Sequence, residues 1–497
     1  MTSGAGDLVV ALDLSTTAAK AVVLDAQGVS HGEAARPLAT SQPHPAWHEQ
    51  DAGEWWAAAR GAIAGAVEQV DASRVGAVCV THQRESFVCL GSDGAPLRPA
   101  ILWVDGRAGA EIAELGTAEV HRLSGKPPDT TPALYKLAWL SRHEPDVLAR
   151  ADRVGDVQAY LAWRLTGRWA TSLAAADTLG LVDLASGTWS SELARLAGVR
   201  LEQLPELVPT GELIGSITPT AAAELGLAGP VPLVAGLGDG QSAGLALRAD
   251  EPGTAYLNLG TSMVLGVRAD AYLADPAFRT LAGMAPDSFT LETVLNAAAY
   301  LAGWCRRELG DPALDDAASL AWFEDAAAQV PPGSEGLLTL PYWNAAQTPY
   351  WDPSARGATI GWHGRHTRAH AYRSVLEGVA FELRLHLENL ERATGQQVRT
   401  IRAVGGGARS DLWVGIVTGV TQRPVEVCSA GEVSAAGAGL LAHAWLAGHP
   451  GHVAAAPPPG QMVAPDPAVA ETYGRLFEVY RGLYPSLAGT FASLAAL

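Results

Sequence analysis

The chain has 497 residues, of which 48% are hydrophobic and 17% charged, a composition typical of a globular protein. This length predicts two or three domains rather than one core. The formal net charge of −18 argues against partners that are nucleic acids or anionic membranes, but not against a small anion held by backbone N–H groups. Without a signal-peptide pattern or a membrane-spanning run, and with four cysteines that lack C-x-x-C spacing, we expect a cytoplasmic protein with free thiols.

Two similar hairpins are predicted, about half the chain apart. In the first, strands Leu8–Leu12 and Ala21–Asp25 flank the turn DLSTT; in the second, strands Thr254–Leu257 and Met263–Val267 flank the turn NLGTS. Turns rich in hydroxyl and amide groups can donate hydrogen bonds to a phosphate. The repetition indicates a duplicated fold, with a cleft between two similar domains where a small ligand would bind.

Polar residues follow two predicted strands of the first half. Strand Ala77–Thr81 leads into His82-Gln83-Arg84-Glu85, and strand Ile101–Trp103 leads into the segment that contains Asp105. We expect both segments to line one substrate pocket. The alternative is that Arg84 and Glu85 form an ion pair on a solvated loop.

A short apolar strand, Val231–Ala235, ends in the glycine-rich turn Gly236–Gly240, which contains Asp239. Glycines on both sides of an acid let another molecule approach the backbone closely. A carboxylate at the end of a buried strand is a candidate general base. The alternative is an ordinary turn in which aspartate is simply a favoured residue.

A nucleotide-binding pattern occurs near the end of the chain. Strand Ile401–Val404 opens into GGGARSD, and Ser410 or Asp411 is the predicted N-cap of the helix that follows. Glycines at this position allow a base or a phosphate to approach the backbone, although the segment matches neither the P-loop nor the dinucleotide fingerprint.

The remaining periodicity predicts helices and irregular segments. Helices are predicted at Trp55–Val70, Tyr135–Arg142, Val157–Leu165, Val294–Leu309, Thr367–Arg392, Ser434–Leu446 and Ala470–Leu483. An ordered aromatic loop or interdomain segment is predicted at Pro341–Gly361, and a surface loop at Ala454–Gly460.

Taken together, these segments resemble the carbohydrate kinases of the FGGY family, in the actin-like ATPase superfamily. The matching motifs occur along the chain in the family's order. Grouped by the role that the family gives them, they are ALDLSTTAAKAVVLD and LNLGTSMVL for phosphate, THQRESFV and ILWVDGRA for sugar, GLGDGQSAG for catalysis, AVGGGARSDLW with SAAGAGLLA for adenosine, and the signatures KLAWLSRHEP and HTRAHAYRSVLEGVAFEL. The resemblance implies an α/β fold of two ribonuclease-H-like domains, residues 1–247 and 248–497, with Mg-ATP in the cleft between them.

The resemblance also implies roles for individual residues. Asp239 would be the catalytic base, and Asp13 would lie at the Mg²⁺ ion. The implied ATP-binding residues are Thr16, Thr17, Lys20, Gly260, Thr261, Ser262, Gly406, Gly407, Ala408 and Asp411. The implied substrate-binding residues are Gln83, Arg84, Glu85, Trp103, Asp105, Asp239 and Gln241.

The acceptor expected from this resemblance is a small sugar, with a pentulose such as xylulose favoured. Glycerol or a four-carbon polyol is the alternative, because Gln83-Arg84-Glu85 resembles the segment of glycerol kinases. Thr131 and Gly240, however, stand where those kinases carry Tyr and Gln. Two other classes stay open, a non-enzymatic ATP-driven switch and an inactive sugar sensor; a homodimer is allowed for, but no pattern defines its interface.

Overall fold

The computed structural model describes residues 6–285, 287–429, 431–454 and 460–497. Most of the surface loop predicted at Ala454–Gly460 lies outside these ranges. Within them, no helix is both long and apolar enough to cross a membrane. The four cysteines, Cys79, Cys89, Cys305 and Cys428, are buried free thiols.

The first half of the chain is built around a mixed sheet. Its strands are β1 (Leu8–Leu14), β2 (Ala18–Leu24), β3 (Ser30–Pro37), β4 (Glu49–Gln50), β5 (Val75–His82), β6 (Phe87–Leu90), β7 (Ala100–Ile101), β8 (Arg153–Asp156), β9 (Ala170–Ser172), β10 (Val182–Asp183), β11 (Thr188–Trp189), β12 (Glu206–Val208), β13 (Leu213–Ser216) and β14 (Pro232–Val234). Its helices are α1 (Ala52–Val67), α2 (Gly109–Leu115), α3 (Ala118–Ser124), α4 (Ala133–His143), α5 (Pro145–Arg150), α6 (Val157–Thr166), α7 (Leu173–Ala176), α8 (Ser191–Ala197), α9 (Pro219–Glu224) and α10 (Asp239–Ala246). The main sheet has the order β13-β14-β5-β1-β2-β3.

The second half repeats this plan. Its strands are β15 (Thr254–Leu259), β16 (Met263–Ala269), β17 (Arg279–Ala282), β18 (Phe289–Leu295), β19 (Leu338–Leu340), β20 (Ala358–Ile360), β21 (Thr400–Val404), β22 (Val425–Cys428) and β23 (Gly460–Val463). Its helices are α11 (Ala299–Leu309), α12 (Asp316–Ala328), α13 (Arg368–Thr394), α14 (Asp411–Thr421), α15 (Val433–Leu446), α16 (Ala470–Tyr480) and α17 (Leu483–Ala495). The main sheet has the order β17-β18-β16-β15-β21-β22-β23.

The two main sheets share one topology. In the first, β3-β2-β1 are antiparallel neighbours, and β5 and β14 continue the sheet in parallel with β1. In the second, β18-β16-β15 are antiparallel, and β21 and β22 continue in parallel. This repeat confirms the predicted pair of ribonuclease-H-like domains, each of which opens with one of the predicted hairpins.

The first sheet is buried on both faces, so its central strands are almost uniformly apolar. Helix α1 covers one face. Helix α15, from the second half of the chain, covers the other and packs beside α10. Its small residues are required there, because a Cβ on Gly437 would lie 1.9 Å from the carbonyl oxygen of Ser242. The second half therefore contributes to the core of the first domain.

Four predicted boundaries were wrong or incomplete. The helix predicted at Val294–Leu309 begins only at Ala299, because residues up to Leu295 pair with β16. Asp239 lies not within a turn but at the first position of α10. The strand predicted at Ile101–Trp103 ends at Ile101, and the last predicted helix, Ala470–Leu483, is divided into α16 and α17.

Candidate active site

A cavity of about 340 Å³ lies between the two halves of the chain. It brings together seven of the predicted site residues, which are Arg84, Glu85, Trp103, Asp239, Gly260, Thr261 and Ser262. The first four come from the first half, and the last three form the turn between β15 and β16. Acceptor-side and phosphate-side candidates therefore face each other across one space.

Asp239 lies at the N-terminus of α10, where a negative charge is favourable. Its Oδ1 accepts a hydrogen bond from the N–H of Gly240 at 2.8 Å and lies 3.1 Å from Nε of Arg84. Both contacts fall on the same oxygen, and the side chain is 40% exposed. The other carboxylate oxygen is therefore available to accept a proton from a hydroxyl in the cavity.

Arg84 is also joined to the second half of the chain. Its Nη1 donates to both carboxylate oxygens of Glu292, at 3.1 and 3.0 Å. Arg279 donates to Glu292 through Nε at 2.7 Å and through Nη2, and to Oε1 of Glu85 at 2.9 Å. Tyr256 completes the set by donating its hydroxyl to Glu292 at 2.6 Å. We call these five residues, together with Asp239, the acceptor-site charge network.

Glu292 is the most buried member of this network, with no exposed surface. Burial alone would raise the pKa of its carboxyl group, but Arg279 and Arg84 lower that pKa to about 2. Glu292 is therefore ionised at any working pH and fixes two guanidinium groups at once.

Glu85 has an unusual backbone conformation, with φ of 61°. It lies at the centre of a tight turn that is closed by a 2.8 Å hydrogen bond from the N–H of Ser86 to the carbonyl of Arg84. A residue other than glycine rarely adopts this conformation, and such strain is typical of functional sites. The turn directs neighbouring Arg84 and Glu85 side chains to the same cavity.

Trp103 and Thr131 form another part of the cavity wall, and a buried lysine holds them together. Nζ of Lys136 donates to the backbone carbonyls of Trp103 at 3.0 Å and Thr131 at 2.7 Å, and also to those of Leu102 and Thr130. Burial lowers the pKa of Lys136 to about 8. Nε1 of Trp103 donates to the hydroxyl of Thr16 at 3.0 Å, which joins this wall to the first hairpin.

A second cavity, of about 700 Å³, adjoins the first. Gly406 and Ala408 line it, together with Gly405 and Glu432, whereas Ala243, Asn258 and Ser434 line both cavities. The two cavities thus form one cleft that runs from the acceptor side past the second hairpin to the glycine loop after β21.

Asp13 lies near the end of β1 and lines neither cavity. Its Oδ1 is buried and makes no hydrogen bond to any residue that the structure describes. Burial, together with the negative charges of Asp239 and Glu432, raises the pKa of Asp13 to about 8. Lys20, its partner across the hairpin, instead forms a 3.0 Å ion pair with Glu432 of the second half.

Several predicted site residues do not line either cavity. These are Asp13, Thr16, Thr17, Lys20, Gln83, Asp105, Gln241, Gly407 and Asp411. Asp105 is fully buried and pairs with Arg107, so its charge serves the packing of the loop. Gln241 is buried too and donates to the carbonyls of Ala174 and Ala282. Gln83 and Thr16 bond each other behind Trp103.

Three residues of the network, Tyr256, Arg279 and Glu292, were not among the predicted site residues. A signal existed for two of them, since Arg279 and Glu292 are charged residues at the start or the centre of apolar strands, and a buried charge needs a partner. Which partner each one finds depends on the three-dimensional arrangement, because Arg84 is 208 positions away from Glu292.

The duplicated fold and the cleft between its halves are those of the actin-like type of ATP-dependent phosphotransferase. Two family models match the chain, those of the N-terminal domain (residues 8–246) and the C-terminal domain (residues 255–445) of the FGGY family of carbohydrate kinases. The chain belongs to the FGGY family and is a carbohydrate kinase, which confirms the resemblance and leaves the non-enzymatic alternatives without support.

Named relatives differ in substrate. The chain is 30% identical to a xylulose kinase of Escherichia coli (strain K12) over 87% of its own length and 89% of that protein, and 27% identical to a gluconokinase of Bacillus subtilis (strain 168) over 86% of both. Proteins named glycerol kinase match as well. The crystal structure of a xylulose kinase from Rhodospirillum rubrum superimposes with a TM-score of 0.90 at 31% identity, over 98% of this chain and all of that one.

Proposed function

We propose that this kinase transfers the terminal phosphoryl group of ATP to a hydroxyl of a pentulose such as D-xylulose, with Asp239 as general base. One observation carries the proposal: Asp239 faces, in a single cavity, both the Arg84–Glu85 turn and the Gly260–Ser262 turn. The names of several relatives favour a pentulose, and so do the segments RPAILWVDGRA and AYLAWRLTGRWAT, which resemble those of pentulose kinases. We place the domain boundary between residues 247 and 248, just after α10.

The chemistry fits these positions. Phosphoryl transfer requires alignment of donor and acceptor and stabilisation of charge on the phosphoryl oxygens. Thr261 and Ser262 offer hydroxyl and backbone donors on the phosphate side, while Arg84 and Glu85 can orient acceptor hydroxyls. Asp239, between them, would accept the proton of the attacking hydroxyl.

The residues present also fit a Mg²⁺ ion. Asp13 provides a buried carboxylate oxygen without a hydrogen-bond partner among the described residues. Two further carboxylates, Asp239 and Glu432, are near enough that their negative charges raise the pKa of Asp13. Hard oxygen ligands of this kind suit Mg²⁺. When bound, the ion would neutralise charge on the ATP phosphates. Asp13 is the residue we propose to hold it.

Glycerol or a four-carbon polyol is the second candidate. Gln83-Arg84-Glu85 favours it, because this segment resembles glycerol kinases, and two of its three side chains line the cavity. Thr131 and Gly240 leave more room than the Tyr and Gln of those kinases, which favours the longer pentulose.

The test is a screen for acceptor-dependent ADP release with Mg-ATP over pentuloses, hexuloses and polyols of three to six carbons. The proposal expects the highest kcat/KM with a pentulose. Preference for glycerol or a tetritol would replace it by the second candidate. ADP release that does not depend on any acceptor would contradict both.

A further inference from the structure

Arg279 and Glu292 are built into the acceptor site from the second half of the chain. Arg279 lies on β17 and Glu292 on β18, opposite each other in the antiparallel register. Arg279 reaches Glu85, and Glu292 reaches Arg84, so each residue of the Arg84–Glu85 turn has a charged partner from the other domain. All four side chains are at least nine-tenths buried.

The network has more negative than positive charge. The arginines Arg84 and Arg279 contribute two positive charges, and Glu85, Asp239 and Glu292 contribute three negative ones. Both guanidinium groups are therefore already neutralised by protein carboxylates. An acceptor that carried its own carboxylate would meet three protein carboxylates and would find no unpaired cation in the network. The nearby cation Lys136 is held by four backbone carbonyls behind Trp103 and Thr131.

Hydrogen-bonding capacity for neutral hydroxyl groups nevertheless remains. Nη2 of Arg84 makes no hydrogen bond to any of the described residues, and a Cβ at position 240 would lie 2.9 Å from that nitrogen. Gly240 therefore leaves this donor open to the cavity. Among the described residues, the carboxylate of Glu85 accepts a hydrogen bond only from Arg279, on Oε1, so its second oxygen can accept a hydrogen bond from an acceptor hydroxyl.

Resting on the proposed kinase function, we infer that Arg279 and Glu292 are specificity-determining positioning residues. They hold Arg84 and Glu85 in place across the domain interface. They also make the site one that takes a neutral polyhydroxy acceptor and rejects an aldonate, the sugar-acid counterpart. One relative is named gluconokinase, so members of the family differ in whether the acceptor carries a carboxylate. In this chain, the inferred effect of the charge network is to select an acceptor without one.

The first measurement uses the wild-type enzyme. ADP release and calorimetric binding are compared for D-xylulose, glycerol, D-xylonate and D-gluconate. We expect turnover and binding with a neutral compound, and kcat/KM at least 100-fold lower with either aldonate. Turnover or binding of an aldonate at a level comparable to the neutral acceptor would overturn the inference.

The second measurement uses Glu292→Gln, which keeps the shape but removes the charge. We expect the KM for the neutral acceptor to rise at least tenfold and the KM for ATP to change less than twofold. The ratio of kcat/KM for the neutral acceptor to kcat/KM for D-gluconate should decrease. The matched control is Glu382→Gln, since Glu382 is equally buried in the same half but contacts, among the residues that the structure describes, Tyr342, Tyr480 and His386, none of which lines the cavity. Its acceptor KM should stay at the wild-type value.

The outcomes separate the inference from the function on which it rests. If Glu292→Gln is folded by its thermal transition and keeps the wild-type acceptor KM and preference, the positioning role is wrong while the kinase function stands. If the wild type binds ATP but phosphorylates nothing, the proposed function fails, and calorimetry still decides the inference: binding of an aldonate, or of no neutral acceptor, overturns it. If Glu292→Gln does not fold, the wild-type comparison decides it alone.

Discussion

Replacing Asp239 by asparagine is the most direct perturbation of the proposed chemistry. The amide preserves size and can still accept the hydrogen bond from the N–H of Gly240, but it loses the negative charge and the ability to take up a proton. The fold should persist, because Arg84 retains its two contacts to buried Glu292 when its contact to Asp239 is weakened. The side chain of Asp239 is 40% exposed, so loss of this ion pair should cost no more than about 1 kcal/mol of stability.

The expected catalytic loss is much larger than this structural cost. General-base catalysis contributes roughly 10²–10⁴ in rate, which corresponds to about 3–5 kcal/mol in the activation free energy. We therefore expect kcat of Asp239→Asn to fall by that factor. The affinities for acceptor and nucleotide should change little, because the base acts chiefly as the hydroxyl attacks.

The assay measures acceptor-dependent ADP release and calorimetric ATP binding on the same preparation. The control is Asp250→Asn, because Asp250 forms an ion pair with Arg248 outside the cavity, a short distance along the same stretch of chain. Its kcat should equal that of the wild type. If Asp239→Asn turned over within about fivefold of the wild type, the loss would be too small for a general base, and the role proposed for Asp239 would be wrong.

Three further perturbations test the rest of the cleft. Thr261→Val removes a hydroxyl donor from the phosphate-side turn and should cost about 1–3 kcal/mol in ATP binding or in kcat; unchanged kinetics in a folded variant would leave Thr261 with a purely structural role. Because burial lowers the pKa of Lys136 to about 8, the folded state loses this proton before the unfolded chain does, so thermal stability should gain a rising contribution between pH 8 and 10.5 that Lys136→Met abolishes. Because the pKa of Asp13 is raised to about 8, the metal-free folded state holds a proton that the unfolded chain releases near pH 4; the corresponding loss of stability from pH 4 to 8, and any stabilisation by Mg²⁺ at pH 8, should both be absent in Asp13→Asn.

The fold was predictable because its signals are local. Each hairpin has its apolar strands and its turn within about fifteen residues, and the strand–glycine–helix segment after Ile401 is equally compact. Helix α13, Arg368–Thr394, lies close to the bounds predicted from periodicity, Thr367–Arg392. The repetition of the hairpin was sufficient to predict two similar domains.

The errors occur where tertiary contacts override local preference. Residues 294 to 298 belong to an alanine-rich segment that favours a helix, but Val294 and Leu295 complete the ladder with β16. Asp239 precedes Gly240 and Gly244, which are poor helix formers, yet α10 forms because it packs against α15. Neither contact can be read from neighbouring residues.

For the site, the sequence indicated which residue types face the cleft but not how their charges are balanced. The alternative to substrate binding was an ion pair between Arg84 and Glu85, and that alternative was wrong, because each of the two pairs with a residue about 200 positions away. Pairings at that separation are set by the relative placement of two domains. Asp105 is the opposite case, because its carboxylate pairs with Arg107, only two positions away, and does not line the cavity.

These cross-domain pairs connect acceptor binding to the arrangement of the two halves. Glu292 lies on the second sheet, whereas Arg84 lies at the end of β5 in the first, so any motion that separates the halves must break a buried ion pair. Breaking it would leave Glu292 with Arg279 and Tyr256, both from its own half, and Arg84 with the partly exposed Asp239. Because buried charges that lose a partner are costly, these ion pairs favour the arrangement in which the two halves lie against each other. The same ion pairs hold Arg84 and Glu85, which are proposed to position the acceptor. The Arg84–Glu85 turn consequently has its full set of charged partners only when β17 and β18 of the second half lie against it, and the roles proposed above would then couple acceptor binding to the placement of the Gly260–Ser262 turn on the same sheet.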